Sequence, residues 1–493
     1  MAESLRDKTA RGLFWGALNN GGMQILNIVF AIVVARKLNP GDYGLTAMLT
    51  VYSYIASNLQ ESGFINALIN RRNASHDDFN SVFWFNVTVS VVMYVILWFC
   101  APLIAEYNHQ PILVPLSHFV FLGIILSSFA VVPRTKMMKE MRQKELAAIS
   151  ILALVASGTT GIIMAVNGMA FWGIATQQLV NIGMVSLLSW WFVRWRPSLA
   201  FSFTPIREMF GFSCKILITN IVNNINRFAF ETFLGKFYPK YDVGQYSQAN
   251  SWNMKGTLLI NGIVQGVAQP MFVSIKEEST NSADERERLK RALRKMVRFT
   301  AFISFPAMFG LILVAPEFIH VTITDKYADA AHLMQILCLG GAFVPIITIF
   351  QHLIISRGKS GIYMWCMIAQ VALILLDLFC VQHFQLSLWG SEGIKLMVMV
   401  YVGIIMLWTL VWHFFVWREI RLSLLNYLAD IVPFMSIALL SMLATYFITL
   451  SVSNPMILLC LRIVFAATIY IGILWILKAK ILRECMSYFR KKT

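Results

Sequence analysis

The chain has 493 residues, of which 58% are hydrophobic, 13% aromatic and 13% charged, with a mean hydropathy of +0.65 and a formal net charge of +16. A soluble protein carries about 25% charged residues, and seven cysteines without a CxxC pair form neither a disulfide framework nor a zinc site. These figures exclude cytosolic enzymes, secreted disulfide scaffolds and disordered chains, and they leave an all-α polytopic membrane protein.

The chain opens on a polar, basic stretch, Met1 to Arg11, followed by an apolar run with no small-residue cleavage site. This predicts an uncleaved amino terminus on the cytoplasmic side. A transmembrane helix needs about 20 mostly apolar residues. On that rule spans 1–6 are expected near 12–35, 43–69, 79–105, 112–133, 146–167 and 169–193. Spans 7–12 follow near 206–235, 243–274, 293–315, 329–356, 361–382 and 389–416, and spans 13 and 14 near 424–451 and 456–478. From a cytoplasmic start, 31 of the 41 lysines and arginines fall in inside segments and 5 in outside loops. That bias alternates correctly over fourteen spans, as retention of basic loops requires. Both termini are then cytoplasmic. The surplus of cations is topogenic, and no basic domain with an aromatic platform suggests nucleic acid.

The two halves of the chain resemble one another. Leu38-Asn39-Pro40-Gly41-Asp42-Tyr43-Gly44 after span 1 matches Phe237-Tyr238-Pro239-Lys240-Tyr241-Asp242-Val243-Gly244 after span 7. Ala101-Pro102 recurs as Ala315-Pro316, Leu122-Gly123 as Leu339-Gly340, and Gly173-Ile174 as Gly393-Ile394, always in the same order. Six spans per half put both halves in the same orientation, a parallel repeat. The expected organisation is an N-lobe over 1–200, a C-lobe over 201–417 and two additional helices with a basic tail over 418–493. Two six-helix lobes of this kind suit alternating access, with cargo near the bilayer midplane.

Polar groups inside apolar spans are costly and mark function or helix contacts. Asn20, Gln24 and Asn27 in span 1, and Asn220, Asn224, Arg227 and Glu231 in span 7, each fall on one helical face. Span 8 adds Gln248, Trp252 and Lys255 on one face, and span 2 adds Asn58 and Glu61. The amides suit sugar hydroxyls or interhelical bonds. Trp252 suits a sugar ring face. Arg227 and Lys255 suit an anion, although Arg227 and Glu231 also fit an i,i+4 pair. Arg462 and Lys395, near span ends, are expected to snorkel to the interface, and Asp430 is expected to be interfacial. Glu61, Glu231 and Asp377 are candidate proton or ion carriers, with helix packing the alternative for Asp377.

Gly358-Lys359-Ser360 lacks the glycine of a phosphate-binding loop, because Leu353 stands five positions earlier. Without a nucleotide-binding domain, ATP cannot drive the chain. Asp77-Asp78 falls on the cytoplasmic side, and the short outside loops leave no room for a transferase or polymerase domain. No catalytic residue, cofactor or metal site is expected.

Arg11-Gly12-Leu13-Phe14-Trp15-Gly16, the segment from Ala35 to Gly44, Glu61-Ser62-Gly63-Phe64 and the loop from Arg134 to Glu145 resemble bacterial polysaccharide exporters of the Wzx type. The resemblance covers spans 1–12 and implies the multidrug/oligosaccharidyl-lipid/polysaccharide superfamily: fourteen helices and a cavity opened alternately to each side. It further implies an inner-membrane flippase for undecaprenyl-pyrophosphate-linked oligosaccharide repeat units, in lipopolysaccharide, capsule or exopolysaccharide assembly, beside a polymerase and a chain-length regulator. The alternatives are an ion-coupled multidrug antiporter of the same superfamily and a membrane glycosyltransferase or polymerase. An acid-rich cavity would mark the antiporter.

Overall fold

The computed structural model describes residues 22–24, 26–61, 74–140, 142–198, 201–278, 282–383 and 391–479, with single positions 65, 68 and 481. Among these, regular structure is helical throughout, as hydrocarbon demands of a backbone with no water to bond. The first helices are α1 (26–37), α2 (Pro40–Glu61), α3 (His76–Tyr107), α4 (Leu113–Lys139), α5 (Gln143–Val166), α6 (Ala170–Phe192) and α7 (Thr204–Phe237). Then come α8 (Lys240–Glu278), α9 (Ser282–Thr322), α10 (Ala328–Gly341), α11 (Val344–Ser356), α12 (Ser360–His383), α13 (Ser391–Ile420), α14 (Leu424–Ile448) and α15 (Pro455–Ile476). Ten described stretches are long and apolar enough to cross a membrane. Helices α2, α7 and α8 are not among the ten; they bear the polar residues singled out above, so length and apolarity alone do not reach the count of fourteen.

Local signals set the helix ends. Ser75 caps α3, its hydroxyl accepting from the Asp78 amide while Asp78 accepts from the Ser75 amide. Asn454 caps α15 ahead of Pro455, accepting from Met456 and Ile457. Pro102 and Pro316 fall inside the last two turns of α3 and α9, so the two halves repeat this irregularity. Span 10, expected as one helix, is two. Gly340, Gly341 and Pro345 interrupt it, and the Ala342 carbonyl freed at the break accepts the Ser304 hydroxyl at 2.8 Å.

The chain divides into two compact units, residues 1–244 and 245–493. In the first, α3, α4, α5 and α6 pack on one another and α7 lies along α2. A cluster around Phe79, Phe83, Trp195 and Met209 closes the end at which α3 begins. Trp84 Nε1 donates to the Ser198 carbonyl at 2.7 Å and the Ser198 amide to Asn80 Oδ1 at 2.9 Å, stapling the segment after α6 to α3. In the second unit α9 is the central helix, packed on α10, α14 and α15.

The repeated Pro-to-Gly turn meets its own copy within the first unit. A methyl on Gly44 would overlap the Lys240 carbonyl, and one on Gly244 would overlap the Pro40 carbonyl. The starts of α2 and α8 therefore cross backbone to backbone, and only glycine permits the approach. Gly44→Ala or Gly244→Ala must displace main chain, and each is expected to cost about 1–3 kcal/mol or more. Thermal unfolding in detergent checks this, with Gly472→Ala, whose added methyl meets open space, as the control that keeps the wild-type midpoint.

Candidate functional site

A cavity of about 570 Å³ lies inside the first unit, between α1, α2, α4, α5 and α6, within the range of about 300–1,000 Å³ typical of ligand sites. Helix α2 presents Thr46, Thr50, Ser53 and Ser57 to it, a hydroxyl stripe at helical spacing. Thr46 donates to the Tyr43 carbonyl at 3.0 Å, Thr50 to Thr46 at 3.1 Å and Ser53 to Leu49 at 3.1 Å. Their protons are thus held by their own helix, and their oxygens remain acceptors for whatever enters. Helix α6 supplies Gln177, Gln178 and Asn181, α5 supplies Ser157 and α1 supplies Asn27. Asn181 donates to Ser157 Oγ at 3.1 Å, which holds α6 to α5 at the cavity wall. No aspartate, glutamate, lysine or arginine lines this chamber. Its chemistry is that of a neutral, hydroxyl-rich ligand.

A second chamber of about 350 Å³ shares Asn181 and Ile182 with the first. Its walls are Ser127, Ala130, Val131, Arg134, Thr135 and Met138 from α4, Asn181, Ile182 and Val185 from α6, and Ile65. Arg134, read in the sequence as a topogenic loop residue, lies inside α4 and borders this space.

The residues singled out in the sequence are placed as follows. Asn20 and the side chains of Glu61 and Arg227 lie outside the described residues. Asn27 lines the first chamber, and Gln24, one turn earlier, is half-buried. Asn220 and Asn224 are half-buried, and Asn224 Nδ2 donates to the Asn220 carbonyl at 3.0 Å, so part of that stripe satisfies its own helix. Glu231 is buried in α7. In the second unit Lys255 donates to Ser251 Oγ at 2.7 Å and stands 4.2 Å above the Trp252 ring. Among the described residues no carboxylate pairs with Lys255. Trp252 is buried edge-on against Phe318, with centroids 4.9 Å apart, so it does not offer the open ring face expected of it. Asp377 is buried in α12 with one carboxylate oxygen lacking a hydrogen bond.

Two expectations are corrected. Arg462 does not snorkel: it is buried, bonded to Glu317 at 2.7 Å, the Leu313 carbonyl at 3.0 Å and Thr449 at 3.3 Å, because α9 brings a carboxylate to it. Asp430 is not interfacial. It is buried and receives Arg294 at 2.6 and 2.9 Å and Arg298 at 2.7 Å, both from successive turns of α9. Lys395 pairs with Glu392 on its own helix at 2.5 Å. Gln177, Gln178 and the hydroxyl stripe of α2 were not singled out, although α6 is the least apolar of the ten candidate spans, which was the available signal.

The family model described as polysaccharide biosynthesis protein matches residues 33–332. The lipopolysaccharide biosynthesis protein WzxC of Escherichia coli is 26% identical over 365 residues, 73% of this chain and 72% of that one. The succinoglycan biosynthesis transport protein ExoT of Rhizobium meliloti is 25% identical over 376 residues, 76% of this chain and 74% of its own. Among solved structures, the lipid II flippase MurJ in an inward closed conformation superposes with a TM-score of 0.67 at 13% identity, covering 96% of this chain and all of that one; this likeness is one of fold.

The buried cations divide into those held by carboxylates and Lys255, which is not. Arg462→Ala would strand Glu317 in the interior and is expected to cost about 3–5 kcal/mol. Lys255→Ala strands no charge and is expected to leave the unfolding midpoint close to wild type. Thermal unfolding of both variants in one detergent measures the contrast.

Proposed function

The chain belongs to the polysaccharide biosynthesis protein family, and we propose that it moves undecaprenyl-pyrophosphate-linked oligosaccharide repeat units from the cytoplasmic to the periplasmic leaflet by alternating access. That it is a multi-pass membrane protein of a polysaccharide transporter family rests on the matches and apolar helices above. The finer reading rests on one observation: a chamber within a membrane-spanning unit that is lined by amides and hydroxyls and by no ionisable side chain. A glycan offers donors and acceptors around every ring, and such a wall answers both without a charge to desolvate. The lipid tail can stay in the bilayer while only the head group crosses.

On this reading the halves 1–200 and 201–417 are the two related lobes, and 418–493 adds the last two helices. The protein acts in the bacterial inner membrane with both termini in the cytoplasm, as a transporter rather than a transferase, and hands its cargo to a polymerase and a chain-length regulator. Arg227 and Lys255 attract the pyrophosphate, and Asn20, Gln24, Asn220 and Asn224 line the route of the sugars. A cationic-drug antiporter is the weaker alternative, because no carboxylate lines either chamber of the first unit.

Lys255→Ala and Arg227→Ala are expected to abolish surface polysaccharide, scored by gel analysis of surface glycans, while membrane protein levels stay unchanged; normal polymer from both would remove the anion role. The buried carboxylates Glu231 and Asp377, with Glu61, suit coupling to a proton or sodium gradient. Flipping of lipid-linked glycan in vesicles is therefore expected to stop when both gradients are collapsed, and undiminished flipping would refute coupling.

A further inference from the structure

The two chambers of the first unit meet at Asn181 and Ile182 and differ in one respect: the second carries a guanidinium. Ser127, Val131, Arg134 and Thr135 occupy one face of α4, so the arginine is set into the chamber wall by helical register. Thr135 donates to the Val131 carbonyl at 2.7 Å and Ser127 to Ile124 at 2.9 Å, again leaving hydroxyl oxygens as acceptors only. The remaining wall, from Ala130, Val131, Ile182 and Val185, is apolar. Charge interactions there are screened less than in water, and neither chamber is lined by a carboxylate. The joined space is therefore neutral and hydrogen-bonding at one end and cationic at the other.

We infer that the joined chambers bind an acidic sugar of the cargo, with its ring hydroxyls on the amides of Gln178 and Asn181 and its carboxylate or phosphate substituent on Arg134. A guanidinium recognises either group through two parallel hydrogen bonds. A wholly neutral glycan would satisfy the first chamber and make no use of the second. A cation would find no counter-charge in either. The inference rests on the glycan-transport reading and narrows it to cargo with an anionic residue in its repeat unit.

The test uses the full-length protein in lipid nanodiscs and calorimetric titration with three probes: a soluble oligosaccharide containing one hexuronate, the same oligosaccharide with its carboxyl reduced to an alcohol, and inorganic pyrophosphate. The reduced glycan is expected to bind about tenfold more weakly or worse, as loss of a charge-assisted pair implies. Arg134→Gln should erase that difference without changing the affinity for the reduced glycan, and Arg134→Lys should restore part of it. Equal affinities for the two glycans in the wild type would overturn the inference, and so would a difference that survives Arg134→Gln. Displacement of the acidic glycan by pyrophosphate would assign the guanidinium to the carrier's head group and also overturn it. Accumulation of lipid-linked intermediate in cells deleted for the gene tests transport separately. A positive result there beside equal glycan affinities would discard the acidic-sugar assignment and keep the transport reading.

Discussion

Hydrocarbon supplies no hydrogen bonds, and each polar atom carried into it must be matched by the chain or face a chamber. That constraint governs the smallest details of this protein. Ser90 donates to the Asn86 carbonyl and Thr445 to Ser441, each within its own helix. Tyr470 reaches across to the Phe302 carbonyl at 2.9 Å. Where α10 gives way to α11, the carbonyl lost to the helix is taken by Ser304. The same economy explains why the hydroxyls of α2 can line a cavity at no cost to the helix: their protons are already spent on the backbone, and only acceptor oxygens are presented.

Charges obey the rule more strictly, and they sort themselves by partner. Arg462 with Glu317, and Asp430 with Arg294 and Arg298, are neutralised in place and hold α9 to α14 and α15. Such pairs contribute little net stability over apolar packing, yet breaking one side is costly, so they pin the helices of the second unit in register. Lys255 is different. It has a hydroxyl and an aromatic face for company, interactions of about 1–2 kcal/mol that compensate only part of the cost of a buried ammonium. Arg134 borders a chamber instead of lying in a packed contact between helices. Cations retained on such terms are better explained by a ligand than by the fold.

Helix order, the internal repeat and the caps were legible because they depend on composition and short spacings. Hydropathy marks a span, glycine and proline mark its ends, and basic residues mark its inner loops. The partners of Arg462 and Asp430 were not legible, since Glu317 is 145 positions from one and Arg294 is 136 from the other. No periodicity within a helix shows that pairing. The first chamber was half legible: Asn27 stood out as an amide in an apolar run. Thr46, Thr50, Ser53 and Ser57 did not, because threonine and serine are common in membrane helices and normally bond their own backbone. Arg134 was hidden for the opposite reason. A basic residue near a span end has a ready topogenic explanation, and only the extension of α4 to Lys139 carries it into a wall.

The two units also show what a repeat conserves and what it releases. The Pro-to-Gly turns at 40–44 and 239–244 approach so closely that a side chain on either glycine would strike main chain, and Pro102 and Pro316 recur at matching places in α3 and α9. These are backbone features, and backbone geometry has few substitutes. The cavity walls share no such likeness. The first unit encloses amides and hydroxyls, whereas a cavity of about 640 Å³ in the second is lined by Phe309, Ile312, Leu439, Met442 and Leu443 around the Arg462–Glu317 pair. Because helical hydrogen bonds already satisfy the main chain in both, side chains pointing inward were free to diverge. One half could become a polar chamber and the other an apolar one without altering the scaffold that both inherit.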